Sequence, residues 1–193
     1  DYIFCDANLP VPALSRVLEI AKEKPIKAWF EPTEISIAAK FLTSSTPSAI
    51  SVISPNIAEF LAILRHPGLG VEESSITSIS ALLDLVQSLP PLFPYLDMLL
   101  VTMDKQGSLL ITKDAVAEKY RVSECTWGIV HILPPPIVEG IVSVSGAGDN
   151  LNSALLSSLL LGRSLEDSID TALQAVALTL ESTNAIAEEL SNM

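Results

Sequence analysis

Residues 50–64 read Ile-Ser-Val-Ile-Ser-Pro-Asn-Ile-Ala-Glu-Phe-Leu-Ala-Ile-Leu, and this stretch contains the unit from which the fold is built. Ile50–Ile53 is a short apolar run that predicts a buried strand, and Ser54-Pro55-Asn56 is a turn. A helix is expected from there to about Leu64, because proline is favoured in the first turn of a helix. A strand followed at once by a helix is typical of α/β proteins.

The same alternation continues on both sides of this stretch. Further strands are expected at 2–5, 26–30, 98–102 and 108–112, and helices from Pro10, from 147 to Leu161 and from Leu165 onward. Parallel strands joined by helices are buried on both faces and therefore read as near-continuous apolar runs. The sequence predicts an α/β fold of one domain, with a mostly parallel sheet flanked by helices.

Several local features are less regular, and the sequence gives one expectation for each. Tyr2–Cys5 is interpreted as a buried strand, Ile35–Leu42 as one short helix, and Ser74 or Ser75 as the cap of a helix reaching Leu89. Residues 107–143 are expected to form an irregular hairpin insertion, with exposed strands at 117–122 and 129–133.

Composition excludes several classes of protein. The 193 residues include 11 Lys and Arg against 23 Asp and Glu, so the formal charge is −12, which disfavours nucleic-acid binding and a polybasic membrane surface. The longest apolar stretches are interrupted or too short for a membrane span, and no signal peptide is recognisable. The 2 cysteines cannot form a disulfide framework, and the 2 histidines stand apart from them. A cytoplasmic globular protein is expected.

Gly146-Ala147-Gly148-Asp149 opens a predicted helix and is the most informative motif. The amino-terminal N–H groups of a helix lack intrahelical acceptors and lie at the positive end of its dipole, so they can bind an anion. Asp149 in the first turn could act as a general base toward a hydroxyl that attacks a bound phosphoryl group. A tight strand-to-helix turn without ligand is the alternative. No Gly-Lys pair of a Walker loop is present, and the third glycine of the dinucleotide fingerprint is missing.

Polar clusters follow four predicted strands, at the edge where ligands bind in open α/β sheets. They are Asp6-Ala7-Asn8, Glu31-Pro32-Thr33, Ser54 to Glu59, and Thr102-Met103-Asp104. Each has a structural alternative, since Asp and Asn also cap helices and Glu59 could be a solvated residue favoured by the helix dipole.

Three motifs together resemble those of the ribokinase-like (PfkB) carbohydrate kinases. Residues 143–149 are similar to the second signature of that family, 55–59 to its Asn-x-x-Glu element, and 101–107 to its Thr-Leu-Gly-x-x-Gly turn. Within the family, the pseudouridine kinase branch is indicated by 6–9, by 29–33 with Lys40, and by 178–182. The resemblance covers 1–193 as the carboxy-terminal portion of one PfkB-type kinase domain, with the amino-terminal part and lid missing.

The resemblance implies roles for individual residues. Asp149 would be the catalytic base, with Gly146, Ala147 and Gly148 forming an anion hole. ATP would be the co-substrate, with nucleotide contacts at Thr102, Gly107 and Asn184, and Mg²⁺ would be positioned by Asn56 and Glu59, mostly through water. The expected reaction is transfer of the γ-phosphate to the 5′-hydroxyl of a nucleoside or sugar, with pseudouridine first. The resemblance also allows for a homodimer and for a fused pseudouridine-5′-phosphate glycosidase upstream.

Three positions depart from the family pattern. Asp104 replaces a glycine in the nucleotide-side turn, Asn150 stands where Ser or Thr commonly follows the catalytic Asp, and Ile37 occupies a place often held by Lys. Two alternatives therefore stay open: another ribokinase- or adenosine-kinase-like sugar kinase, and a catalytically inactive nucleotide-binding or interaction paralogue.

Overall fold

The computed structural model describes residues 1–67, 69, 76–89, 95–187 and 190. The chain forms two compact units, Asp1–Asp114 with Val122–Leu133, and Ala115–Arg121 with Pro134–Met193. The strands are β1 (Tyr2–Asp6), β2 (Lys27–Glu31), β3 (Ile50–Ile53), β4 (Met98–Thr102), β5 (Ser108–Thr112), β6 (Arg121–Cys125) and β7 (Gly128–Leu133). The α-helices are α1 (Val11–Glu23), α2 (Ile57–Leu64), α3 (Ile79–Ser88), α4 (Ala147–Leu160) and α5 (Leu165–Glu181).

The first unit contains a sheet whose strands lie in the order β1-β2-β3-β4-β5-β7-β6. β1 to β4 are parallel, whereas β5 is antiparallel to β4 and to β7. Apolar residues of the sheet and helices form one core, which includes Leu14, Leu18, Phe30, Phe41, Ile53, Phe60 and Leu82. This architecture confirms the predicted fold class.

Two helices of this unit, α2 and α3, begin at a polar side chain that accepts a hydrogen bond from a backbone N–H of the first turn, whereas α1 follows Pro10 without such a cap. The N-cap of α2 is Asn56, as the sequence predicts. The N-cap of α3 is Ser78, whose side chain accepts a hydrogen bond from the Ala81 N–H. The predicted caps Ser74 and Ser75 lie outside the described residues, and α3 begins only at Ile79, so that expectation is wrong.

Residues 107–143 contribute three strands to the main sheet, instead of the irregular insertion expected. β5 is entirely buried between β4 and β7, and β7 is buried at Val130 on one face of the sheet and at His131 and Leu133 on the other. The strand predicted at 117–122 is displaced toward the carboxyl end: β6 covers 121–125. A turn at 118–120 precedes it, and Tyr120 N–H donates to the Ala117 carbonyl.

Two other local expectations are wrong. β1 is not a buried strand: it is an outermost strand of the described sheet, and Phe4 is 45% exposed. Residues 35–42 do not form one helix. They form turns followed by a 3₁₀ helix at Lys40–Thr43, which buries Phe41.

The second unit contains α4 and α5. Gly162, with φ of 76°, follows α4 in the left-handed conformation that favours glycine at the end of a helix. Ser164 caps α5 by accepting a hydrogen bond from the Asp167 N–H. The predicted helix to about Leu161, its glycine stop and the final helix from Leu165 are confirmed. In the described ranges, no helix combines the length and apolarity needed to span a bilayer.

Candidate functional site

Polar side chains meet at the carboxyl edge of the parallel strands in the first unit. Asp6 and Glu31 are paired in register at the ends of β1 and β2. The fully buried Trp29 donates its Nε1–H to Ser54 Oγ at 2.7 Å, and that hydroxyl donates to Glu31 Oε2 at 2.6 Å. The Glu31 carboxylate is therefore oriented by a chain of hydrogen bonds that starts in the core.

The segment after β2 is fixed to the loop after β1 by Lys40. Its ammonium group donates hydrogen bonds to the carbonyl oxygens of Ala7 and, at 3.3 Å, of Leu9. Thr33, with φ of 68°, turns the chain immediately after the Glu31-Pro32 pair. Thr33 and Lys40, on which the resemblance to the pseudouridine kinase branch partly depends, therefore fix the loops at the carboxyl edge of the sheet.

Asn56 and Glu59 form a reciprocal capping box at the start of α2. Asn56 Oδ1 accepts from the Glu59 N–H at 2.9 Å, and Glu59 Oε2 accepts from the Asn56 N–H at 2.8 Å. The capping alternative for Asn56 is therefore confirmed. The alternative of a solvated Glu59 is wrong, because only 4% of this residue is exposed.

Whether these residues suit Mg²⁺ depends on the oxygen atoms that the capping box leaves unused. Glu59 Oε1 has no hydrogen-bond partner within the described ranges, whereas Oε2 is used. Burial raises the pKa of the Glu59 carboxyl, and its hydrogen bonds with Asn56 only partly offset that rise. No group of three or more His, Cys, Asp or Glu among the described residues could enclose a metal ion. A buried carboxylate with one unused oxygen nevertheless fits an ion that keeps most of its waters.

Thr102 lies beside this capping box at the end of β4. Its N–H donates to the Pro55 carbonyl at 3.0 Å, and Thr102 forms a parallel bridge with Asn56. The turn that follows has φ of 51° at Asp104 and 87° at Gly107. Glycine adopts such angles without strain and Asp does so more readily than most residues, which explains how Asp104 can replace the family's glycine.

Gly146 is the N-cap of α4 and is fixed by its neighbours. Its φ is 79°, and a Cβ atom built at this position would lie 2.4 Å from the Ala185 carbonyl oxygen. The backbone of Ala185 therefore approaches the start of α4 so closely that only glycine fits at position 146. The sequence could suggest a turn at Gly146 but not this contact.

The next residues leave the start of α4 open to a ligand. Within the described residues, the N–H groups of Gly148 and Asp149 have no acceptor, and the first intrahelical bond joins the Asn150 N–H to the Gly146 carbonyl at 2.9 Å. A Cβ atom at Gly148 would meet nothing within 4 Å. Asp149 is exposed in this first turn. The geometry is that of an anion site with an accessible carboxylate beside it.

Asn150 connects the two segments that frame this helix start. Its side-chain amide donates to the carbonyl oxygens of Gly146 at 3.0 Å and Ala185 at 2.8 Å. A Ser or Thr side chain is too short to replace both contacts, so the departure at this position has a structural role. Asn184 is exposed in the same segment, and its N–H donates to Ser182 Oγ.

Sequence reasoning missed a cavity of about 420 Å³ in the second unit. Pro134–Ile137 line one part of it, and Leu173, Gln174 and Ala177 of α5 line another. The Lys119 ammonium, paired with Asp170 at 2.9 Å, also contributes to the wall. The proline run could have been recognised from sequence as a rigid wall, but its helical partner could not.

Comparison with curated proteins gives a distant relative. The chain is 24% identical over 224 residues to a pseudouridine-metabolizing bifunctional protein of Schizosaccharomyces pombe, an alignment that covers 100% of this chain and 30% of that protein. The chain therefore spans under a third of the length of that relative.

Solved structures of sugar and nucleoside kinases share the fold. A ribokinase from Cryptococcus neoformans in complex with ADP matches with a TM-score of 0.74 at 17% identity, over 98% of this chain and 58% of that one. An adenosine kinase from Sinorhizobium meliloti matches with a TM-score of 0.67 at 16% identity, over 97% and 51%. The chain spans about half the length of these structures.

The family model described as pfkB family carbohydrate kinase matches residues 3–192, almost the whole chain. Together with the ribokinase-like arrangement of strands and helices, this match means that the chain belongs to the pfkB family of carbohydrate kinases.

Proposed function

We propose that the protein is a Mg²⁺- and ATP-dependent phosphotransferase that acts on the 5′-hydroxyl of a nucleoside or sugar. The observation that carries this proposal is the start of α4, where the N–H groups of Gly148 and Asp149 have no acceptor among the described residues and the Asp149 side chain is exposed. In phosphoryl transfer the enzyme mainly positions the reactants and stabilises charge, and this helix start can do both.

The proposed step balances as follows. The 5′-hydroxyl oxygen attacks the γ-phosphorus of ATP, the bond from that phosphorus to the β,γ-bridging oxygen breaks, and ADP leaves. Asp149 accepts the hydroxyl proton. The N–H groups of Gly148 and Asp149 would stabilise the negative charge on the transferring group, whereas the Ala147 N–H of the predicted anion hole already donates to the Val144 carbonyl at 3.3 Å. Mg²⁺, near Asn56 and Glu59, would neutralise charge on the nucleotide phosphates.

Replacing Asp149 tests this assignment. Asp149→Asn keeps the shape of the side chain but removes its basicity, so turnover in the complete protein should fall by about 100- to 10,000-fold. ATP-dependent phosphate transfer measures this loss, and the melting temperature establishes that the variant is folded.

Asp167→Asn is the matched control, because Asp167 occupies the same third position of α5 that Asp149 occupies in α4. Both substitutions weaken the interaction of an acid with a helix dipole, but the control should keep turnover. Equal activity of Asp149→Asn and the unmodified protein would refute the catalytic role.

We infer that the nucleotide base occupies the 420 Å³ cavity, whose volume is within the range of small-molecule sites. The segment that follows the cavity-lining residues Pro134–Ile137 runs beside α5 toward the start of α4. In it, the N–H groups of Val142 and Ser143 donate to the Leu180 carbonyl oxygen, one helical turn beyond the cavity-lining Ala177. The roles of Thr102, Gly107 and Asn184 in nucleotide binding remain part of this proposal.

Filling the cavity tests the position of the base. Ala177→Phe should raise the KM for ATP by roughly tenfold or more, because even small changes in pocket volume alter affinity strongly. Ala81→Phe in α3 of the other unit is the control, with no change expected in this KM. An unchanged KM in Ala177→Phe, with retained folding, would exclude this cavity.

Pseudouridine is the substrate we propose first. The distant relative from Schizosaccharomyces pombe supports it, as do Glu31 and Lys40, which are held firmly at the carboxyl edge of the sheet. Competition among pseudouridine, uridine, adenosine and ribose measures the preference. Phosphorylation of ribose or adenosine in preference to pseudouridine would favour the wider sugar-kinase alternative.

The exposed Asp104 carboxylate in the turn after Thr102 favours a second candidate, a paralogue without catalytic activity. A negative charge near the expected phosphates should weaken nucleotide binding. Calorimetry with ATP and Mg²⁺ distinguishes the candidates: micromolar binding together with turnover contradicts the inactive paralogue, and absence of turnover supports it.

A further inference from the structure

The loop between the antiparallel strands β4 and β5 is short and has two residues in the left-handed conformation. Thr102 and Ser108 pair at the ends of the strands, so the loop is 103–107. Asp104 has φ of 51° and Gly107 has φ of 87°. Backbone hydrogen bonds close this loop on itself, from the Met103 N–H to the Gly107 carbonyl at 2.8 Å and from the Gln106 N–H to the Met103 carbonyl at 3.0 Å.

Two successive N–H groups of the loop are left unused. In the described ranges, the N–H groups of Asp104 and Lys105 have no acceptor. Successive N–H groups in a turn with a left-handed residue can form a concavity that binds an anion. The proposed function brings the phosphates of a nucleotide to this loop, which contains Gly107. Binding of a phosphate here is expected to depend on how well the loop keeps its shape.

The side chain of Gln106 fixes the loop to the start of α3. Its Oε1 accepts a hydrogen bond from the Ile79 N–H at 3.0 Å, and its Nε2 donates to the Thr77 carbonyl at 2.7 Å. These two partners lie on either side of Ser78, the N-cap of α3, so one amide spans the beginning of that helix. Among the described residues, no other side chain of 103–107 forms a hydrogen bond or an ion pair.

We propose that Gln106 is a positioning residue for nucleotide binding. Its two hydrogen bonds hold the loop against α3 and thereby keep the N–H groups of Asp104 and Lys105 arranged for a phosphate. Gln106 acts through the backbone of the loop and does not touch the reacting atoms. This inference rests on the proposed function, because that function assigns the nucleotide to the loop.

The alternative is that Gln106 only stabilises α3. Ile79 is the first residue of that helix, and its N–H is one of the donors without an intrahelical acceptor. Ser78 meets the same need, since its hydroxyl accepts a hydrogen bond from the Ala81 N–H at 3.1 Å. Loss of either side chain should therefore weaken the start of α3, whereas only loss of Gln106 frees the loop. This difference provides a matched pair of variants.

Gln106→Met keeps the length of the side chain and removes both hydrogen bonds. In the complete protein, the KM for ATP should rise by about tenfold, because two hydrogen bonds together contribute at least that factor. The dissociation constant of ADP with Mg²⁺, measured by calorimetry, should rise equally. The kcat and the KM for the acceptor should not change. Ser78→Ala is the control, and it should lower the melting temperature without changing the KM for ATP or the affinity for ADP.

The proposal is overturned if Gln106→Met keeps its affinity for ATP and ADP, or if Ser78→Ala weakens nucleotide binding to the same extent. The titration with ADP requires no turnover, so it separates this inference from the proposed function. An unmodified protein that does not bind ADP contradicts both. Binding of ADP that Gln106→Met leaves unchanged contradicts only the role of Gln106.

Discussion

At the scale of single residues, Glu59 combines a structural role with a property suited to ion binding. It caps α2 with one carboxylate oxygen while its own charge is buried. Burial disfavours the charged form of the Glu59 carboxyl, and the pKa of this group is raised as a result. The capping box alone would not require a charge, because a glutamine amide oxygen can accept the same hydrogen bond.

Glu59→Gln should therefore separate stability from ion binding. A carboxyl whose folded pKa is raised binds more protons when folded, so its contribution to stability decreases as pH rises through the interval above the ordinary carboxyl pKa. The variant should gain stability relative to the unmodified protein between mildly acidic and neutral pH. Chemical denaturation at several pH values measures this difference.

The same variant should need about 10- to 100-fold more Mg²⁺ for turnover, as expected when a group that orients a metal is lost. Asn56→Ala is the contrasting variant, since it removes the cap and should cost about 1 kcal/mol at every pH. A pH-independent stability difference for Glu59→Gln would show that the carboxyl titrates normally.

Residue types at the candidate site could be predicted from the sequence, but their conformations could not. Asn56, Thr102 and Asp149 could be recognised as site candidates because each lies at the end of a predicted strand or at the start of a predicted helix. The positive φ of Asp104, the close approach of Ala185 to Gly146 and the two contacts of Asn150 depend on segments distant in sequence. No local pattern encodes them.

At the scale of elements, the first turn of α4 needs its two glycines for different reasons. Gly146 has a left-handed backbone and no room for a side chain, whereas Gly148 has helical geometry and open space around it. The first glycine is therefore required by the fold. The second is explained best by access of a ligand to the backbone N–H groups.

Alanine at the two positions should consequently give opposite results. Gly146→Ala should destabilise the protein by about 1–2 kcal/mol from its backbone conformation, with a further loss from the contact with Ala185. Gly148→Ala should raise stability by about 0.4–1 kcal/mol, because alanine restricts the unfolded chain.

Turnover should nevertheless fall in Gly148→Ala by up to about 100-fold, since displacing a phosphoryl group by ~1 Å can cost that much. Thermal denaturation and phosphate-transfer assays on the two variants provide the comparison. A more stable Gly148→Ala variant with normal turnover would mean that the start of α4 does not bind the transferred group.

The elements that the sequence predicted well have strong periodicity and clear ends, as in α2, α4 and α5. The helix expected at 35–42 is absent, although Ala38 and Phe41 have a helical spacing. Both residues are buried, but Ala38 lies in a turn and Phe41 lies in a short 3₁₀ helix. The left-handed Thr33 redirects the chain just before them. Tertiary burial there outweighs local propensity.

At the scale of the whole molecule, the sequence predicted the sheet but not which strands lie at its edges. An apolar run of four or five residues looks alike in a central and an outer strand. The order of strands places β1 at one edge and β6 at the other. The two edges differ in chemistry, since β6 includes Arg121 and Glu124, whereas β1 includes Tyr2, Ile3 and Phe4.

This difference predicts how the 193-residue chain behaves when it is produced by itself. An outer strand with apolar side chains can pair with another copy, whereas charged residues oppose such pairing. Phe4 is 45% exposed and its ring lies 6.0 Å from that of Trp29, so the β1 edge offers apolar surface as well as backbone groups. Self-association through β1 is expected, and sedimentation velocity measures it.

Phe4→Lys should reduce this association, because a lysine on an outer strand must be desolvated when a second copy pairs with it. Val122→Lys is the matched control, since Val122 is 49% exposed on the outer strand β6, which already has charged residues. The control should associate like the unmodified chain. A monodisperse 193-residue chain, or equal effects of the two lysines, would show that the β1 edge is not the surface that drives association.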